Sequence, residues 1–283
     1  MTVEAHAKVN FTLEVFGKRA DGYHALRSVV MPISLADTLD VEVTDDGLIT
    51  SDTGYDDDLC VKAARVLRQC QDVRRETKDV RLGAAIRVTK RIPAGGGLGG
   101  GSADAAAVLR ALNELWKIGL TREELAEVGA QVGSDVPALV MGVPVVMEGR
   151  GERVEDLRLK TGDLNLVLVN PGVHSSTKEV YADCEARSLD GEDLTAKMVA
   201  ALKSGDLGRI AAALMNDLQP PAVRQHPEIA DALVSLRTAG VIGAMMSGSG
   251  SSVFGLVADE SAAKRISQEL NDRGLRAWPV HTI

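Results

Sequence analysis

Apolar and polar side chains alternate at the start of the chain. Val9, Phe11, Leu13 and Val15 are interleaved with Asn10, Thr12 and Glu14, the period of two expected of a half-buried strand. A turn at Arg19-Ala20-Asp21-Gly22 follows. Extended apolar runs resume near Ser28–Leu35 and Leu39–Val43, and Asp45-Asp46-Gly47 signals another turn. From Leu59 to Cys70 the period changes, with Val61, Ala64, Leu67 and Cys70 at helical spacing. The charged run from Gln71 to Arg81 reads as a solvated loop, and Ala85–Thr89 as a short strand leading into Ile92-Pro93. Ala103–Trp116, rich in alanine and leucine, is the strongest helical segment. Thr121-Arg122-Glu123-Glu124 matches a capping box and predicts a further helix. Ser134-Asp135-Val136-Pro137 pairs a capping residue type with a first-turn proline. Val143–Met147 reads as a strand.

Gly149-Arg150-Gly151-Glu152 and the polar Lys160-Thr161-Gly162-Asp163 bracket a division of the chain near residue 150. Two domains, 1–150 and 151–283, are therefore expected, and the length of 283 residues favours two over one. Beyond the division the order is strand (Leu164–Asn170), helices, strand (Ala244–Ser247), strand (Val253–Ala258), helix (Ala262–Arg273), strand (Arg276–His281). That order suits a ferredoxin-like split βαβ unit. The sequence leaves open whether the last residues, about ten, pack on the first domain. It shows no internal repeat and no low-complexity tract.

Composition narrows the function classes. With 45% hydrophobic and 25% charged residues the chain is ordinarily globular and long enough to bury a core without staples. Its three cysteines, Cys60, Cys70 and Cys184, lie far apart with no CxxC pair. This argues against a disulfide framework or a thiolate zinc site and suits a reducing cytoplasm. The first residues show no basic region followed by an apolar run, so no signal peptide is read, and no apolar stretch has membrane-spanning length. A net charge of −8 opposes binding to nucleic acid. An acidic chain can still hold a phosphorylated small molecule through backbone amides.

Pro93-Ala94-Gly95-Gly96-Gly97-Leu98-Gly99-Gly100-Gly101-Ser102-Ala103 carries six glycines between a strand and the strongest helix. So many glycines lose a large conformational entropy on folding, whereas a plain turn needs one or two. A helix entrance of this kind directs free amides at an anion. A flexible turn without a ligand is the alternative. Gly95, Gly97 and Gly100 formally satisfy GxGxxG, but an unbroken glycine run fits that spacing in some register, and no second parallel strand follows. No lysine follows the glycines as a Walker A loop demands. Ser247-Gly248-Ser249-Gly250-Ser251 is a second cluster between two apolar strands. It reads equally as a hairpin connection or as a wall facing the first loop across an interdomain cleft.

Ala7-Lys8-Val9-Asn10, the loop Pro93–Ser102 and Ser247-Gly248-Ser249-Gly250 stand in the order of the three motifs of the GHMP kinase superfamily, which the chain resembles. Arg19-Ala20-Asp21-Gly22-Tyr23-His24, the long glycine form, Gly133-Ser134-Asp135-Val136-Pro137, Pro171-Gly172-Val173 and Asn216-Asp217-Leu218 direct the resemblance to one branch. That branch phosphorylates the 2-hydroxyl of 4-diphosphocytidyl-2-C-methyl-D-erythritol with ATP, in the non-mevalonate route to isoprenoid precursors. The resemblance implies an α+β chain with a ribosomal-protein-S5 domain 2-like first domain and a ferredoxin-like second. It also implies a small-molecule substrate, ATP bound over Pro93–Ala103, and magnesium, for which no firm protein ligand is assigned.

The resemblance makes Asp135 the catalytic base and Lys8 its partner cation, stabilising charge at the attacking oxygen. Asn10, two residues on along the same face, is assigned to the methylerythritol portion. Tyr23 and His24 are assigned to the cytosine, with Tyr181 as a second aromatic and Thr177 one helical turn before it. Without the resemblance each has a plainer reading: Asp135 as a helix cap, Lys8 as a surface lysine, Tyr23-His24 as a turn pair. Ser102 heads the helix, with its hydroxyl available to phosphate or magnesium. Lys90 and Arg91 suit either the nucleotide or a solvated strand end, and His174, Met245-Met246 and Trp116 read as structural. Two rival readings are a GHMP kinase acting on mevalonate or homoserine, and a nucleotide-binding regulator without catalysis.

Overall fold

The amino-terminal alternation forms two strands, β1 (Thr2–Asn10) and β2 (Thr12–Lys18), separated at Phe11. These and the elements below come from a computed structural model that describes residues 1–55, 57–74, 82–159, 163–188 and 191–283. From Lys8 to Val15 the strands are not half-buried. Lys8, Asn10, Thr12 and Glu14 are each at most 3% exposed, as buried as the apolar residues between them. Their polar face is covered by the rest of the chain, and the sequence pattern cannot distinguish that from water.

The two extended runs expected after the first turn form one continuous strand, β3 (His24–Thr44). It is long because it serves four neighbours: β2, then β6 (Val145–Gly149), β1 and β5 (Gly83–Thr89) along its length. β4 (Ile49–Ser51) precedes helix α1 (Leu59–Arg74), and β5 (Gly83–Thr89) follows it. The expected loop at Gln71 therefore begins as the last turn of α1, and residues 75–81 lie outside the described residues. α2 (Gly100–Leu115), α3 (Arg122–Gly129) and α4 (Val136–Met141) come next, then the hairpin β6 (Val145–Gly149) and β7 (Arg153–Asp156). The capping box at Thr121 is formed, with Thr121 and Glu124 bonded reciprocally.

The change of sheet falls between Asp156 and Asn165, because β7 still pairs with β6; a division at residue 150 cuts that hairpin. The second half runs β8 (Asn165–Asn170), α5 (Thr177–Ala182), α6 (Leu194–Ser204), α7 (Leu207–Ala213) and β9 (Met215–Asn216). It continues with α8 (Gln219–Gln225), α9 (Pro227–Thr238), β10 (Gly243–Met246), β11 (Val253–Leu256), α10 (Glu260–Asp272) and β12 (Arg276–His281). Strands β10-β11-β8-β12 form an antiparallel sheet in that order. Residues 160–162, three of the four in the expected polar segment, are outside the described residues.

Contacts of several kinds join the halves. β9 pairs in parallel with β2, the Phe11 and Phe254 rings stack with centroids 5.4 Å apart, and the chain end returns to β3 through Ile283 N–H donating to the Pro32 carbonyl at 3.1 Å. No helix among the described residues is long and apolar enough to cross a membrane.

Candidate active site

The six-glycine loop enters α2 without any side chain capping the helix, and no acidic residue stands in its first turn. Its first-turn amides are therefore left for an external anion. Gly95, Gly97 and Gly99 have positive φ at every second position, the alternation that turns successive N–H groups inward. Ala103, expected among the nucleotide residues, is buried beneath the loop, and its N–H is taken by the Gly99 carbonyl at 2.7 Å.

The second glycine cluster touches the first directly. Ser247 Oγ donates to the Gly97 carbonyl at 3.0 Å, and the Ser252 N–H donates to the Gly96 carbonyl at 3.0 Å. Asn216 anchors the second cluster by donating to the carbonyls of Met246 and Gly248, both at 2.8 Å. The hydroxyls of Thr177 and Ser249 lie 2.8 Å apart, and Ser175 Oγ donates to the Ser249 carbonyl at 2.7 Å. The start of α5 is thereby tied to the same wall.

Lys8 runs between these loops. Its N–H donates to the Leu98 carbonyl at 3.0 Å, and its Nζ lies 3.3 Å from Asp135 Oδ2. A β-carbon on Gly99 would lie 3.3 Å from the Lys8 side chain, as would one on Gly248. Asp135 occupies the cap position of α4, but its side chain makes no capping bond. The carboxylate is left to Lys8, with 31% of the side chain open to the cleft. The plain capping role is thus absent, and Ser134 does not supply it either.

Around this pair opens a cleft of about 1220 Å³, above the usual range for one small ligand and large enough for a nucleotide and a second substrate together. Lys8, Asn10, Asp135, Thr177 and Tyr181 line it, with the loop from Pro93 to Ser102 and, at one end, Tyr23 and His24. At that end the His24 and Tyr181 rings lie 5.7 Å apart and tilted by 38°, while Arg150 stands over the Tyr23 ring at 5.4 Å. Burial and the charge of Asp135 both push the Tyr181 phenol above its usual range.

His174, read as structural, lines the cleft and lies against Gly95, leaving no room there for a side chain. Lys90 lines the cleft, but it is not a free strand-end charge. Its ammonium is held by Asp37 at 2.5 Å and Asp104 at 2.7 Å, while Asp37 also accepts the N–H groups of Arg91 and Ile92. The trio ties β3, the loop entrance and α2 together. Its signal in the sequence was a lone acid inside each of two apolar patterns, Asp37 and Asp104.

Burial pushes the Asp104 carboxyl up to about 6 against the pull of Lys90, and the charge of Asp37 adds to the rise. A carboxyl raised on folding contributes stability that is full below the unfolded value of 3.8 and is lost as pH rises through about 6. Between about pH 4 and pH 7, the unfolding free energy of the parent should fall relative to Asp104→Asn by on the order of 1–3 kcal/mol. Urea titrations at each pH measure this, and a pH-independent difference would assign the titration to another group.

Known proteins share this architecture. Residues 58–143 match the GHMP kinases N terminal domain and residues 198–275 the GHMP kinases C terminal domain. The 4-diphosphocytidyl-2-C-methyl-D-erythritol kinase of Symbiobacterium thermophilum is 40% identical over 294 aligned positions, covering 100% of both chains. That of Pelotomaculum thermopropionicum is 42% identical over 94% of this chain and 92% of its own. A crystal structure of 4-(cytidine 5'-diphospho)-2C-methyl-D-erythritol kinase superposes with a TM-score of 0.82 at 35% identity, covering 100% of this chain and 99% of the other.

Proposed function

This chain belongs to the GHMP kinases, in the 4-diphosphocytidyl-2-C-methyl-D-erythritol kinase family, and we propose how its cleft performs that transfer to the 2-hydroxyl. It is a small-molecule kinase with ATP as co-substrate. The observation that carries the mechanism is the Lys8–Asp135 pair, 3.3 Å apart, beside uncapped helix amides.

The triphosphate lies on the loop amides with its γ-phosphorus facing the pair. The acceptor hydroxyl enters between Asp135 and Lys8. Its oxygen attacks the γ-phosphorus, the bond to the β–γ bridging oxygen breaks, and ADP departs with that electron pair. Asp135 takes the hydroxyl proton, and the Lys8 ammonium stabilises the charge developing on the attacking oxygen. Little else is asked of the protein beyond holding the two reactants in line.

Among the described residues no three His, Cys, Asp or Glu side chains converge on a metal position. This suits magnesium carried in on the nucleotide, which needs only one or two protein oxygens. Ser102 at the head of α2 is the hydroxyl on hand for it. The ion supplies charge neutralisation on the phosphates.

The cytosine belongs at the Tyr23 end. A ring sandwiched between two others needs roughly 7 Å between them, two contacts of about 3.5 Å. His24 and Tyr181, at 5.7 Å, are too close to hold a base between them. Tyr23 is 54% exposed and has Arg150 over its ring; its free face supports the base, with His24 at the base's edge and Tyr181 closing the pocket.

ADP release tests the assignment. Turnover is expected with the cytidine diphosphate substrate and not with mevalonate or homoserine; the opposite pattern would overturn it. Tyr23→Ala is expected to raise KM for the cytidine substrate roughly ten- to hundredfold, the value of one stacked base. The KM for ATP should be unchanged, and an equal rise in both would deny Tyr23 a role in the base site.

A further inference from the structure

Behind Lys8 a chain of buried hydrogen bonds runs into the protein. Lys8 Nζ donates to Asn10 Oδ1 at 2.7 Å, Asn10 Nδ2 donates to Ser28 Oγ at 2.8 Å, and Ser28 Oγ donates to the Thr12 carbonyl at 2.5 Å. Thr12 is held in turn. Its Oγ1 accepts the Val29 N–H at 2.9 Å and lies 3.1 Å from Thr195 Oγ1 in the first turn of α6. The Thr195 N–H donates to Glu14 at 3.0 Å. Lys8, Asn10, Ser28 and Thr12 are each at most 3% exposed, and Ser28 and Thr12 lie away from the cleft, so bulk water is not at hand to replace a partner that those two lose.

A serine hydroxyl has one proton. With that proton given to the Thr12 carbonyl, Ser28 faces Asn10 as an acceptor only. The amide must then turn its NH₂ toward Ser28 and its carbonyl oxygen toward Lys8. The opposite orientation would set Nδ2 against the ammonium, donor against donor, between two side chains at most 3% exposed. Ser28 lies on β3 and does not line the cleft, so it meets neither ATP nor the acceptor.

We propose that Ser28 is a positioning residue for phosphoryl transfer, setting the Asn10 amide and thereby holding Lys8 Nζ against Asp135. The proposal rests on the roles given above to Lys8 and Asp135. It deepens them by assigning the orientation of the cation to a residue outside the cleft.

In the full chain, Ser28→Ala is expected to lower kcat about ten- to hundredfold, the effect of a displacement near 1 Å in the reacting groups. KM for either substrate should stay within about twofold. In an Asn10→Ala background the same substitution is expected to change kcat by less than about twofold, because its effect passes through Asn10. Additive losses, or a loss confined to KM, overturn the proposal. A crystal structure of Ser28→Ala gives a readout independent of the acceptor's identity. Lys8 Nζ is expected to move away from Asp135; unchanged geometry refutes the role of Ser28. If the parent fails to turn over the cytidine substrate, the functional reading falls while this comparison still decides the role of Ser28.

Discussion

Asp135→Asn is expected to lower kcat by about two to four decades while the KM for ATP stays within a few-fold. Asparagine keeps the size and the cap position but cannot accept the hydroxyl proton. Because the Asp135 side chain makes no capping bond, the substitution removes no helix-stabilising contact. It does leave Lys8, 4% exposed in its side chain, without its counter-charge. A loss of thermal stability should therefore accompany the large loss of turnover. ADP release under saturating substrates measures the first and a melting curve the second. Parent-like turnover would remove Asp135 from the chemistry, whereas a collapse in melting temperature with unaltered kcat would make the pair a stabilising one.

Gly97→Ala should damage both fold and activity. Gly97 has φ +72°, a conformation costly for any residue with a β-carbon, and that carbon would be driven into the Ser247 carbonyl oxygen and to 3.0 Å from the Gly250 backbone. None of these is the end of a flexible side chain, so relief requires the two glycine loops to separate. Overpacking and left-handed strain together suggest a loss of about 2–4 kcal/mol in stability. The loops would part where the triphosphate is proposed to lie, so kcat/KM for ATP should fall by at least about a hundredfold. Gly17→Ala is the control, because its β-carbon would meet nothing within 4 Å and the residue lies outside the cleft. Equal behaviour of the two variants would show that the close approach of the loops is unimportant.

Both substitutions probe contacts between distant parts of the chain, and there the sequence is least informative. Lys8 and Asp135 were each ambiguous alone: a lysine in a strand pattern reads as exposed, and an aspartate before a proline reads as a cap. The resemblance singled them out, but nothing local required the two to meet. Asn10 shared a strand face with Lys8 from spacing alone, yet its partner Ser28 gave no signal, being a serine at the edge of an apolar run. Asn216 belongs to a motif that carries the resemblance, but nothing local showed that it would bond the second glycine cluster, 30 and 32 residues further along the chain. His174 looked structural because a single histidine after a strand has no pattern of its own, and its place against Gly95 depends on the turn at Pro171-Gly172.

Composition and short-range pattern were enough to determine the helix that follows the glycine loop, the capping box at Thr121, the closing strand Arg276–His281 and the glycine-rich entrance to that helix. Each depends on backbone preferences within a few residues, which side-chain type and spacing control directly. Tertiary structure alone decided that β3 runs unbroken under four partners, that the polar face of β1 and β2 is buried, that the two glycine loops touch, and that Lys90 is held between two acids. Those outcomes depend on which surfaces pack together, and a buried polar side chain has the same local sequence pattern whether it faces water or a partner from the other half of the chain.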